Sequence, residues 1–208
     1  PREFNEYLRD YRAIMPQAAD GAPSPRICFT ETHDTRSYPA YAWRGSRLSQ
    51  ALLGILVMAG FVPMIWSGQE VGQEAFIGGL LRARRESAAL RRGKRLFNAV
   101  AVDDLNHYRG GQGDPPAEHL YTLLIHDAET VLLGMASLYT EQVTYRLGLP
   151  LDQLPLARDR AYRLRDLITG EIWNEYGRAE WAGSELASFT LSPRMFRPYI
   201  FQLEATGR

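Results

Sequence analysis

The segment RICFTETHDTR, residues 26–36, decides the fold prediction for this chain. Its first five residues are mainly apolar and predict a short buried strand, Arg26 to Thr30. The next six residues hold two carboxylates, an imidazole and a guanidinium. A strand that runs directly into reactive side chains is typical of α/β folds, whose active sites lie at the carboxyl ends of strands. We therefore expect a functional site immediately after Thr30.

Helix and strand patterns alternate from this segment onward. Residues 46–59 predict a helix capped by Ser46 and ended by Gly60. Residues 61–66 are apolar with one proline and predict a second short strand, and residues 78–92 predict one amphipathic helix. The order strand, helix, strand, helix implies βαβ units and a parallel sheet.

The sequence changes character after Gly93. Short runs rich in β-branched and aromatic residues follow, separated by turn clusters such as residues 109–116. The runs are Leu96–Val102, Leu120–Ile125, Thr130–Met135, Val143–Leu147, Tyr162–Leu167, Leu186–Leu191 and Tyr199–Leu203. They predict an antiparallel β-sandwich of about seven or eight strands. We place a domain boundary here, giving residues 1–93 and residues 94–208.

Composition excludes several classes of protein. The 24 Lys and Arg residues balance the 24 Asp and Glu residues, so neither a nucleic-acid partner nor a polybasic membrane contact is expected. Cys28 is the one cysteine, so an internal disulfide is excluded. The polar N-terminus is not a signal peptide, and residues 51–65 are too short and too interrupted to span a membrane. We expect a cytoplasmic protein.

The residue types at positions 31–36 are compatible with carbohydrate chemistry. A carboxylate beside a histidine can accept hydrogen bonds from neighbouring sugar hydroxyls, and the imidazole can donate one. A fixed negative charge also stabilises positive charge that develops at an anomeric carbon. A polar loop with local capping bonds is the alternative, and residue types alone leave both readings open.

Three segments together resemble the α-amylase superfamily, glycoside hydrolase family 13. Residues 29–35, FTETHDT, resemble the region that ends barrel strand seven, often F-x-x-N-H-D. Residues 60–70, GFVPMIWSGQE, are similar to the strand-eight segment, and residues 81–93 resemble the last barrel helix. The order and spacing match, and a β-sandwich follows the barrel in that family. The resemblance implies the C-terminal part of a (β/α)8 (TIM) barrel, followed by an antiparallel β-sandwich.

The resemblance also implies roles for individual residues in binding an α-glucan or related oligosaccharide. Asp34 corresponds to the aspartate that stabilises the transition state, and His33 to its hydrogen-bonding neighbour at the cleavage subsite. Glu31 and Arg36 lie in the same segment and are expected to bind substrate. Trp43 is the best candidate for an exposed aromatic platform. Thr32 stands where the family commonly has Asn, and Arg36 lies one place earlier than the usual arginine.

The resemblance implies that this chain holds only part of the catalytic machinery. The family's nucleophile aspartate and acid/base glutamate belong to earlier barrel strands. A retaining glycosidase needs two carboxylates about 5 Å apart on opposite sides of the scissile bond. Glu31 and Asp34 share one short segment and do not form such a pair. We expect a fragment that is inactive alone, whether its parent is a hydrolase or a transglycosylase, with no metal and no cofactor.

Two other classes of function stay open at this stage. One is a carbohydrate-binding or structural module without catalysis. The other is a metal-dependent phosphohydrolase with His33 and Asp34 as ligands, but such a site needs further histidines and carboxylates nearby, which the sequence does not offer. Glu70 is expected to make a structural hydrogen bond rather than to orient a site loop.

Two barrel strands without their neighbours leave unpaired edges and an exposed apolar face. We therefore expect self-association of the isolated chain through residues 26–66. Light scattering at micromolar concentration is expected to report a mass above that of the monomer. A monomer mass under those conditions would contradict the expectation.

Overall fold

A computed structural model of the protein describes residue 6 and residues 26–30, 47–105 and 116–207. Several sequence predictions fall outside these residues. They are the Ser46 cap and the candidate site residues Glu31, His33, Asp34, Arg36 and Trp43.

The first described elements form a parallel strand–helix–strand unit. Strand β1 is Ile27–Cys28, helix α1 is Arg47–Met58 and strand β2 is Val62–Pro63. Strands β1 and β2 pair in parallel. The backbone N–H groups of Val62 and Met64 donate to the carbonyls of Arg26 and Cys28, both at 2.8 Å. Pro63, which has no N–H to donate, falls between these two donors, so the proline removes no bond from this ladder.

Helix α1 ends at a glycine, as the sequence predicts. Gly60 has a φ of 98°, a conformation that residues with a Cβ rarely adopt. Its N–H donates to the carbonyl of Val57, and the N–H of Phe61 donates to that of Leu56. This pair of bonds is the Schellman motif, which satisfies carbonyls at the end of the helix and turns the chain into β2.

The predicted single helix over residues 78–92 is wrong in its bounds and its continuity. Helix α2 is Glu74–Glu86 and helix α3 is Ala88–Arg92, with Ser87 between them in an extended conformation. The Ser87 hydroxyl accepts a hydrogen bond from the N–H of Leu90 at 3.1 Å. Serine side chains compete for backbone donors in this way, which makes Ser87 the N-cap of a new helix.

The described residues from Lys94 onward form two antiparallel sheets. The strands are β3 (Lys94–Phe97), β4 (Ala101–Asp104), β5 (Leu120–His126), β6 (Val131–Ser137), β7 (Tyr145–Gly148), β8 (Ala161–Asp166), β9 (Trp181–Ala182), β10 (Phe189–Leu191) and β11 (Pro198–Thr206). One sheet has the order β3-β5-β6-β11-β8-β9 and the other β10-β7-β4. Every predicted run contributes a strand.

Two details of the sandwich differ from the prediction. The run Leu96–Val102 divides between β3 and β4, which belong to different sheets, because Asn98 with a φ of 56° redirects the chain. Asparagine tolerates this left-handed conformation better than most residues. Strand β9 has two residues and is too short to leave a periodic signal in the sequence.

The central strands of the six-stranded sheet are buried on both faces. On β5, Tyr121, Leu123 and Ile125 belong to a helix-side core with helices α1 to α3. Leu120 and Leu124 face the opposite way, into an inter-sheet core with the three-stranded sheet. Each fully buried leucine of this kind contributes about 1.5–3 kcal/mol.

The strand predicted within residues 26–30 is confirmed at Ile27–Cys28, but the prediction that it is buried is wrong. Ile27 is 67% exposed and Phe29 is 49% exposed. Strand β1 has β2 as its partner in the described part of the chain, so its apolar side chains lack the two covering layers that bury β5. Across residues 26–30, 47–105 and 116–207, no helix has the length and apolar character needed to cross a bilayer.

Helix α2 approaches the sandwich closely at one point. The Arg82 guanidinium donates to the carbonyl of Ile168 at 3.2 Å. A Cβ on Gly79 would overlap that same carbonyl oxygen, whereas a Cβ on the adjacent Gly78 would meet open space. Gly79 therefore permits the contact between α2 and the turn after β8.

Gly78 and Gly79 offer a matched pair of substitutions. We expect Gly78→Ala to stabilise the protein by about 0.5–1 kcal/mol, because alanine has the higher helix propensity. We expect Gly79→Ala to destabilise it by about 1–3 kcal/mol, because the methyl group forces helix and turn apart. Urea denaturation measures both. Equal effects of the two substitutions would contradict the close approach at Gly79.

Candidate functional site

Thr30, the residue before the predicted site, lies at the carboxyl-terminal edge of the parallel pair β1–β2. Thr30 follows β1, and Met64 to Glu70 follow β2. Because β1 and β2 are parallel, these two segments leave the sheet at the same edge. The polar sequence that begins at Glu31 therefore starts from this edge.

A buried glutamine joins the two strand ends. Gln69 is 5% exposed, and its side-chain Nε2 donates to the Thr30 hydroxyl at 2.8 Å. Its Oε1 accepts from the N–H of Trp66 at 3.2 Å, and its carbonyl accepts from the Gln73 side chain at 3.0 Å. Both ends of the Gln69 amide thus have a partner, as a buried amide requires. The link holds Thr30 in place across 39 residues of sequence.

Glu70 makes the structural hydrogen bond that was expected of it. Its Oε2 accepts from the N–H of Gly68 at 2.8 Å. Gly68 has a φ of 92°, so the carboxylate stabilises a tight turn after β2. Glu70 is exposed, and it acts within its own turn.

Cys28 packs against the helix-side core and is not activated as a nucleophile. Burial raises the pKa of its thiol, and the positive charge of Arg26 opposes this effect only in part. The reactive form of cysteine is the thiolate, which a raised pKa disfavours at neutral pH. This environment favours a packing role for Cys28 as a small apolar side chain.

A polar concavity lies on the sandwich, and we call it the sandwich cleft. Its volume is about 310 Å³, and its lining includes Gln142, Trp173, Asn174, Glu175, Tyr176 and Arg194. Glu175 is buried and accepts from the Trp173 indole N–H at 2.8 Å, from the Ser192 N–H at 3.0 Å and from the Ser192 hydroxyl at 2.6 Å. Three donors to one carboxylate hold the floor of the cleft in a fixed geometry.

Asp166 lies beside the sandwich cleft and ties the end of β8 to β11. Its carboxylate accepts from the N–H groups of Ile168 and Ile200 and from the Thr169 hydroxyl. Burial raises its pKa, although these hydrogen bonds and the charge of Arg197 act in the opposite direction. Asp166 therefore has a structural role at this end of the sheet.

The sequence reasoning assigned no role to Gln69, Glu175 or Asp166. Each is a polar residue whose importance depends on a partner distant in sequence, so its own neighbours give no signal. Among the residues that the structure describes, no group of three or more His, Cys, Asp or Glu side chains is placed to hold a metal ion.

The fold of the described residues is similar to that of solved proteins. Its few helices and mostly antiparallel sheets are similar to the C-terminal domains of α-amylases. The chain is thus similar in fold to solved α-amylases.

Three solved structures carry this comparison. A maltogenic α-amylase from Thermotoga neapolitana has a TM-score of 0.63 and 13% identity over 97% of this chain and 45% of its own. An α-amylase from Anoxybacillus has a TM-score of 0.54 and 13% identity over 99% and 47%. The α-amylase from Geobacillus thermoleovorans, solved with acarbose, has a TM-score of 0.51 and 15% identity over 97% and 42%. The chain therefore spans less than half the length of these proteins.

Sequence comparison adds no relative. No protein-family model matches the chain, and no curated protein sequence matches it. At 13–15% identity, the solved structures establish the fold alone.

The Thr30–Gln69 hydrogen bond can be tested by a double-mutant cycle. Gln69→Leu removes the hydrogen bonds of the Gln69 side chain to the Trp66 N–H and the Thr30 hydroxyl, so we expect a loss of about 1–3 kcal/mol in the free energy of unfolding. Thr30→Val removes the same bond from the other side. The two effects are expected to couple by about 0.5–1.5 kcal/mol in urea denaturation.

Glu70→Gln is the control for this cycle, because its bond is local and exposed. It is expected to change the free energy of unfolding by about 0.5 kcal/mol or less. Additive effects of Gln69→Leu and Thr30→Val would show that the bond does not join the two strand ends.

Proposed function

We propose that this chain is the C-terminal part of an α-amylase-family glycoside hydrolase or transglycosylase that acts on α-glucans or α-glucosides. In this proposal residues 1–93 are the last two strands and helices of a (β/α)8 barrel, and residues 94–208 are its β-sandwich domain. The observation that carries the proposal is the parallel β1–β2 pair, whose carboxyl edge leads through Thr30 into the segment from Glu31 to Arg36. The fold similarity to α-amylases supports it.

The segment from Glu31 to Arg36, which we call the strand-end segment, supplies groups suited to a glycosidic transition state. We assign to Asp34 the stabilisation of positive charge at the anomeric carbon, for which a fixed carboxylate is suited. His33 donates a hydrogen bond to a substrate hydroxyl. Glu31 and Arg36 bind further hydroxyls, and Trp43 stacks on a sugar ring.

The Thr30–Gln69 hydrogen bond matters to this chemistry because Thr30 is four residues from Asp34 in the sequence. Catalytic groups act only when they are held within a fraction of an ångström of the productive position. A strand end that is fastened to its neighbour offers a fixed starting point for the segment. The exposed carboxylate of Glu70 is not needed for this role.

The proposed activity belongs to the longer protein. Glycoside hydrolysis with retention requires a nucleophile and an acid/base on opposite sides of the bond, and this chain is proposed to supply neither. The chain spans 42–47% of the α-amylase structures that it resembles, which fits a partial active site. Alone, the chain is expected to bind sugar without cleaving it.

Titration with maltoheptaose followed by calorimetry tests this proposal. We expect Asp34→Asn and His33→Ala each to weaken binding by about tenfold or more, because each removes a charged or charge-assisted hydrogen bond. Asp159→Asn is the control, since Asp159 is exposed on the sandwich. No reducing sugar is expected to appear during incubation.

Two outcomes would overturn the proposal. Binding that is unaffected by Asp34→Asn and His33→Ala would favour a carbohydrate-binding or structural module without this catalytic role. Release of reducing sugar by the purified chain would show that it carries its own nucleophile and acid/base.

A further inference from the structure

The edge of the sandwich cleft is a two-residue turn with an unusual sequence. The N–H of Glu175 donates to the carbonyl of Arg178 at 2.7 Å, and the N–H of Arg178 donates back at 3.0 Å. Between them, Tyr176 has a φ of 50° and Gly177 a φ of 93°. Two central residues with positive φ define a type I′ turn, which strongly favours Asn, Asp or Gly at both places.

Tyrosine is a poor residue for this backbone, and its ring is not packed. A bulky residue with positive φ carries strain, which elsewhere in proteins concentrates at binding sites. Tyr176 is 85% exposed. Within the described residues its ring makes no hydrogen bond and no aromatic contact, so packing does not offset the strain.

The residues next to Tyr176 form a rigid, polar and partly aromatic surface. Trp173 is half-buried, and its ring lies edge-on against Tyr199 and Phe201, with centroids 5.3 and 5.4 Å apart. Its indole N–H is held by the buried carboxylate of Glu175. The Trp173 ring is therefore fixed in the cleft that Tyr176 borders.

The charges of the cleft select the class of ligand. Asp166, Glu171 and Glu175 line it together with Arg194 and Arg197, so neither an anion nor a cation is favoured as a whole. Gln142 adds an amide group that both donates and accepts, and Asn174 adds an amide NH2 donor, since its Oδ1 accepts from the Gly177 N–H. A neutral molecule with many hydroxyls and an apolar ring face matches mixed donors and acceptors beside aromatic rings.

We propose that the sandwich cleft binds an oligosaccharide, with the Tyr176 ring stacked on one sugar and the amides of the cleft bound to its hydroxyls. This binding surface consists of residues between positions 142 and 201. It does not include the segment Glu31 to Arg36 of the proposed catalytic role. It holds a glucan chain on the sandwich. The choice of an α-glucan as the sugar rests on the proposed function, whereas the binding surface itself does not.

Tyr176→Asn removes the ring while it improves the turn, because Asn-Gly is the preferred type I′ pair. Calorimetry with maltoheptaose on the Asp34→Asn background isolates the cleft from the strand-end segment. We expect Tyr176→Asn to weaken this binding by about two- to tenfold, the effect of one aromatic contact. The thermal midpoint is expected to stay the same or rise, since backbone strain is relieved.

Leu81→Gln is the matched control, since it also removes an exposed apolar side chain, on helix α2. It is expected to leave maltoheptaose binding unchanged. Tyr176→Phe keeps the ring and is expected to retain most of the affinity.

The outcomes separate this inference from the proposed function. Maltoheptaose binding by Tyr176→Asn equal to that of its background would overturn the cleft site, whatever Asp34→Asn does. Loss of binding in Tyr176→Asn, with no effect of Asp34→Asn in the native chain, would support the cleft site and overturn the proposed catalytic role. Tighter binding of inorganic phosphate than of maltoheptaose would overturn the assignment of a sugar ligand.

Discussion

Strands β5 and β6 have almost no solvent-facing side, and the rest of the described structure depends on covering both of their faces. All seven residues of β6 are buried, as are the first six of β5. Alternate side chains on each strand point to opposite faces, so one face needs the helices and the other needs the three-stranded sheet. Removing either layer would expose a continuous apolar surface.

Small residues allow these layers to approach one another. A Cβ at Gly134 on β6 would overlap the sulfur of Met58, and one at Gly54 would overlap the ring of Pro198. Both contacts lie where helix α1 crosses the sheet. Helix α1 also leads through its Schellman motif into β2. The packing of α1 therefore helps to set the position of the parallel strand pair and its carboxyl edge.

The two polar regions of the molecule arise from different structural devices. The carboxyl edge of the parallel pair consists of two strand ends that leave the sheet together, with Gln69 as the link to Thr30. The sandwich cleft uses a strained turn and the buried carboxylate of Glu175. In both, a buried polar side chain with all its partners holds backbone or aromatic groups near the surface. Buried hydrogen bonds of this kind favour one arrangement because any other leaves a group unsatisfied.

Local periodicity was a sound guide to elements and a poor guide to burial. The run Leu120–Ile125 predicted a strand because its residues favour the extended chain, and the structure has β5 there. The run at residues 26–30 was also mainly apolar, yet Ile27 is largely exposed. A side chain is buried only where another layer of the structure covers it, and the residues next to it in the sequence do not show whether such a layer exists. Likewise, the helical pattern over residues 78–92 predicted one helix, whereas the N-cap at Ser87 divides it into two.

The sequence by itself determined the order of most strands and helices and the glycine that ends α1. These depend on side chains close together in the chain, through backbone propensity and local hydrogen bonds. Only the tertiary structure decided that Gln69 meets Thr30, that Glu175 meets Ser192, and that Tyr176 stands exposed beside a cleft. Those contacts join residues up to 39 positions apart, and they form only when packing of the sheets and helices brings the groups within hydrogen-bonding distance.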